Sequence, residues 1–129
     1  MIPTIAERVE PYLLEWLRRE LPDVKFATRA PETGEDCVLI LVDYLQKATD
    51  ITQKANVRLT VYKQDPKLKV LDLDGAYKLM SDVQRSIMKH ATTYPLVGAQ
   101  VFTGTSRMRD DALKTDCLYA VMQVHVVAN

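Results

Sequence analysis

The side chains able to do chemistry are few: two histidines, two cysteines and scattered carboxylates. His90 follows Lys89 at the predicted C-terminal end of a helix, where positive charge complements the helix dipole. His125 lies in a predicted strand with Gln123 two residues away on the same face. Neither shows metal-ligand spacing such as His-Glu-x-x-His or Cys-x-x-Cys, so both read as structural or surface residues. Cys37 falls in an apolar run with nothing local to activate it, the setting of an inert thiol. Cys37 and Cys117 are too few for a disulfide scaffold and read as buried free thiols of a reducing compartment.

Carboxylate pairs fare no better. Asp72-Leu73-Asp74 and Asp110-Asp111 could touch a cation, but a hydrolytic metal site needs more ligands in fixed geometry. Asp74 reads as a helix cap and Asp110-Asp111 as a solvated loop tip. Gly34, Gly75, Gly98 and Gly104 stand singly, so no phosphate-cradling loop is present. Arg107 and Arg109, in TSRMRDD (105–111), could reach a phosphate or a partner's carboxylate. Beside Asp110 and Asp111 they read as local neutralisation or an intermolecular salt bridge. The expectation is a protein with no catalytic residue, no metal and no cofactor.

Length and composition set the frame for these residues. A chain of 129 residues predicts one domain, 1–129, large enough to bury a core without staples. Seventeen basic against seventeen acidic residues leave no net charge, which weakens any nucleic-acid reading. Apolar runs such as Cys37 to Val42 fall far short of the ~20 residues of a membrane helix. The start, MIPTIAERVEP, puts acidic residues and prolines where a signal peptide needs an apolar stretch, so no export signal is expected.

Periodicity places the elements. Ile2, Ile5, Val9, Tyr12, Leu13, Trp16 and Leu17 fall on one helical stripe, and Thr4 with Glu7 has capping-box spacing. Pro11 either kinks this helix or begins it; the kinked form, ending near Glu20, is expected, with Trp16 as a core anchor. Val24 to Arg29 alternates as a short edge strand, and residues 30–36 form a polar turn. Cys37 to Tyr44 reads as a central strand and Asn56 to Lys63 as its neighbour. The polar run Leu45 to Ala55 between them either extends the hairpin or wanders as a loop. A second helix, capped by Asp74, carries Ala76, Leu79, Met80, Val83, Ile87 and Met88 inward and ends before Tyr94-Pro95. Val97 to Thr105 and Cys117 to Val127 are the last strands. In the latter, Leu118, Ala120, Met122, Val124 and Val126 oppose Tyr119, Val121, Gln123, His125 and Val127. The predicted class is α+β: a largely antiparallel sheet with two helices packed on one face, in the order α-β-β-β-α-β-β.

Three stretches give this layout a resemblance. VEPYLLEWLRRELPDVKFATRAP (9–31) is a short helix, Leu-Pro and strand. VRLTVYKQDPKLKVLDLDGAYKLMSDVQRSIMKH (57–90) is a strand, a polar break and a helix opening with Asp and Ala-Tyr. PLVGAQVFTGTSRMRDDALKTDCLYAVMQVHV (95–126) is a closing hairpin with an Arg- and Asp-containing loop before a long strand. Together they resemble the siphophage tail-terminator, or tail-to-head joining, family. The run 45–55 has no matching counterpart.

The resemblance implies a structural role. Such proteins form a ring, usually hexameric, on the head-proximal end of the tail tube, end tube polymerisation and join the tail to the head connector. The implied partners are further copies of the chain, the tail tube protein and a head-completion or connector protein. DNA would be passing cargo only, and no membrane is involved. The implied place is the virion tail, with assembly in the host cytoplasm. On this reading neighbours meet through Arg107, Arg109, Asp110 and Asp111 and through the half-polar face of Tyr119, Gln123 and His125. The run 45–55 is expected to be dispensable for folding and to serve joining, with Lys47, Ile51 and Lys54 as contacts. Two competitors stand beside this. One is another neck, tail-completion or minor tail component. The other is a nucleic-acid or small-ligand module on a ferredoxin-like sheet, for which Tyr44, Tyr62, Tyr119 and Arg58 are the candidates.

Overall fold

The computed structural model describes residues 8–31, 35–47 and 51–127. Its elements are α1 (Glu10–Glu20), β1 (Phe26–Ala27), β2 (Cys37–Lys47), β3 (Thr52–Tyr62), α2 (Leu73–Lys89), β4 (Leu96–Asp110) and β5 (Thr115–Val127). The strands form one sheet in the order β1-β2-β3-β5-β4, antiparallel except where β1 pairs with Val38 and Leu39 of β2. Both helices contribute to the apolar core against one face of this sheet. This is the expected α+β class and element order.

Helix α1 opens at Glu10 with Pro11 in its first turn, where the missing N–H costs nothing. The helix is therefore initiated by proline rather than kinked by it. The Thr4–Glu7 capping box lies outside the described residues. Leu13, Trp16 and Leu17 face inward, as their spacing requires. For α2 the cap is Asp72, two residues before the expected Asp74: its Oδ1 accepts from the Gly75 N–H at 3.1 Å. Asp74 instead sits in the first turn, where its charge suits the dipole. Ala76, Met80, Val83 and Ile87 are buried as predicted, joined by Ser86, while Met88 turns to solvent.

The polar run between β2 and β3 is mostly strand. β2 extends to Lys47 and β3 begins at Thr52, where Thr52, Gln53 and Lys54 pair with Val127, Val126 and His125. Ala55 is fully buried. Residues 45–47 and 52–55 therefore belong to the paired strands, so the run extends the hairpin, one of its two expected forms. The final hairpin is also longer than expected. β4 continues through TSRMRDD to Asp110, and β5 starts at Thr115, so Asp110 is no solvated loop tip. Its Oδ1 accepts from Leu113 N and its Oδ2 from the Tyr62 hydroxyl, both at 3.0 Å.

The helices are joined by Glu20. Its carboxylate accepts from Ser86 Oγ at 2.7 Å, lies 2.7 Å from His90 Nε2 and is 3.3 Å from Lys89 Nζ. The His90 ring stacks on Trp16 with centroids 4.5 Å apart. His90 thus ties α2 to α1 in addition to closing the helix end. Burial pushes the Glu20 carboxyl up, but the bonds from Ser86, His90 and Lys89 outweigh it and hold it below the usual carboxylate range.

Three outcomes follow from these helix ends. A group with a lowered folded-state value stabilises fully above the ordinary carboxylate range and loses that contribution as pH falls through the lowered value. Denaturant midpoints measured against pH should therefore fall more steeply on the acid side for the natural chain than for Glu20→Gln; parallel curves would remove the link. Asp72→Ala should cost about 1 kcal/mol in the same assay. Gly75→Ala should fail to give the gain that Ala usually brings to a helix, because its Cβ would strike the capping carboxylate of Asp72.

Candidate functional site

β5 lies in the middle of the sheet, so the face expected to meet a neighbour is not an edge. Gln123 is buried and held in a side-chain ladder, donating to Asn56 Oδ1 on β3 and accepting from Gln100 on β4, both at 3.3 Å. Tyr119 and His125 are half-buried on the same face, with His125 beside Gly98 of β4. Gln123, the centre of this row, is satisfied within the molecule. Further along, Cys37, Leu39, Tyr62 and Cys117 form a small buried cluster on the side of the sheet away from the helices.

The arginines are also engaged internally. Arg107 reaches Asp116 Oδ2 through Nε at 2.9 Å and Nη2 at 2.8 Å, and Arg109 reaches Asp116 Oδ1 at 3.6 Å. Asp116, outside the candidate set, is thus the carboxylate they serve. Asp111 is exposed in the turn. Ile51 is exposed, and Lys54 is half-buried opposite His125. Lys47 ends β2 opposite Gln53, and its side chain lies outside the described residues. The structure therefore spreads the proposed contacts over both ends of the sheet and its middle. The aromatic candidates for a ligand module do not form a platform. Tyr44 donates its hydroxyl to Glu10 and accepts from Val9 N, Tyr62 is buried, and Arg58 pairs with Asp43 at 2.9 Å.

Two features outside the candidate set remain open. The first is the free edge of β4, the longest strand in the sheet. Val97, Val101, Phe102 and Met108 are exposed along it, Phe102 by 59%. From Val97 to Thr105 it carries no charge, in a chain where 26% of residues are charged. Edge strands are commonly blunted with lysine or proline; this stretch has neither. The strand bulges on either side of Thr103. The uncharged run is visible in the sequence, but only the strand order shows that it is an edge.

The second feature is a groove of about 950 Å³ at the opposite end of the sheet. Its floor is β2 from Ile40 to Asp43, beyond the end of β1, and its wall is α1 through Pro11, Leu14 and Arg18. The sequence could not show it, because it arises from β1 stopping after two residues.

Comparison with protein-family models finds no match, and neither does comparison with curated protein sequences. Among the described residues, no group of three or more His, Cys, Asp or Glu side chains is placed to hold a metal ion. No helix there is long and apolar enough to cross a membrane. Burial pushes the Cys37 thiol up and the Cys117 thiol to about 11. Both should therefore resist a thiol reagent at neutral pH until the protein is unfolded. Fast labelling of either cysteine in the folded protein would contradict this.

Proposed function

We propose that this protein is a phage tail terminator: a structural subunit that forms a ring, of six copies, on the head-proximal end of the tail tube. The ring ends tube growth and presents the surface that joins the head connector. It acts by assembly alone, in the virion tail, after being built in the host cytoplasm. DNA passes through as cargo, and a chain with no net charge suits a lining that must not hold it.

The observation that carries this reading is the β4 edge, long, uncharged and studded with exposed apolar side chains. An edge of that kind favours association with another chain, and repeated association through two different surfaces closes into a ring when the rotation suits. The element order α-β-β-β-α-β-β, the layout on which the resemblance rests, supports it further.

The test is genetic and structural together. Removing the protein from its phage should give tails of uncontrolled length and heads that stay unjoined. Averaged images of complemented tails should show six-fold density from this protein at the head-proximal end. Normal infectious particles without it would sink the reading. Density in the neck, away from the tube end, would favour a different head–tail component.

A further inference from the structure

We propose that copies of this chain join head to tail by strand addition, with β4 of one copy extending the open edge of β2 in the next. This rests on the ring reading and names the joint that such a ring would use.

The acceptor is defined by backbone direction. Val38 N–H donates to Lys25 O at 2.9 Å, on the side of β2 away from β3. Successive N–H groups of a strand alternate sides, so Val42 and Tyr44 turn theirs the same way as Val38. β1 pairs only with Val38 and Leu39, so no described strand pairs with the outward groups of Val42. The groove floor is therefore a row of strand hydrogen-bonding groups, and the natural complement of such a row is another strand edge.

The donor is on the same chain. β4 ends the sheet among the described residues, so between its bulges alternate N–H and C=O groups point away from β5 with no described strand beyond. Its side chains suit the recess. Val97 to Thr105 is uncharged, and in the groove the carboxylates Glu10, Glu15 and Asp43 are matched by the guanidiniums Arg8, Arg18 and Arg58. A neutral groove selects neither a polyanion nor a basic segment. Pro11 and Leu14 give its wall an apolar surface for Val101 or Phe102. The two edges lie at opposite ends of one sheet, so a copy cannot fill its own groove. The joint is passed on from copy to copy, the condition for a ring rather than a two-fold dimer.

Two exposed positions permit a test that leaves the core alone. Phe102→Lys spoils the β4 edge, and Thr28→Trp fills the groove where β1 stops. Thermal unfolding first checks that both variants keep the fold. Sedimentation of the full chain up to millimolar concentration should then show that each variant alone associates about tenfold more weakly or worse. Mixed, they should give a one-to-one pair, because each retains the half that the other lacks. In the natural protein, association should slow amide exchange about tenfold or more at Val42 and within 97–103. A Thr28→Trp protein that still dimerises through β4 would overturn the proposal. So would a natural chain that stays monomeric, or protection of Val42 that requires a different molecule. Six-fold rings on tails complemented by both variants would overturn the joint and leave the ring reading standing. One-to-one pairing in solution with normal tails in the absence of the protein would do the reverse.

Discussion

The ladder on either side of β5 holds the molecule together. β5 pairs with β3 from Thr52↔Val127 to Val61↔Leu118 and with β4 along nearly its whole length. Its inward residues Leu118, Ala120, Met122, Val124 and Val126 are all fully buried in the core that the helices share. Remove this strand and β3 and β4 have no common partner. α2 spans the gap between them, so its place on the sheet depends on the same ladder. The unpaired edges exist for the same reason, since a central β5 leaves β4 as the outermost strand.

Position in the sheet also explains which parts of the fold were legible. The 76–80–83–87 spacing of α2 reflects burial on one side, and periodicity reports such burial directly. Lys47 and residues 52–54 carry no apolar alternation, and strand pairing, of Lys47 with Gln53 and of 52–54 with β5, is what makes them strand. TSRMRDD read as a loop for a similar reason. Its arginines pair across the hairpin with Asp116, a partner that only the strand register supplies. Asp74 was the expected cap, and the cap falls two residues earlier because the Asp72 carboxylate is the one that meets the Gly75 N–H.

The candidate surface was less legible than the fold. Tyr119, Gln123 and His125 formed a half-polar row that looked suited to a partner. Gln100 and Asn56 satisfy Gln123 from the flanking strands, and neither could be placed opposite it without the strand order. The uncharged run 97–105 was present in the sequence, but a neutral strand looks the same in the centre of a sheet as on its edge. The groove depends on something shorter still. β1 has two residues, and one more turn of pairing would have covered its floor.

Because β3 and β5 are separated by all of α2 and β4, the order of synthesis matters. As the chain leaves the ribosome, the β2–β3 hairpin is complete more than fifty residues before its next strand exists. During that interval β3 shows a bare inner edge lined by Val57, Leu59 and Val61, side chains that end wholly buried. Chains under construction on one messenger are close neighbours, and such an edge can capture another nascent copy as readily as its own β5.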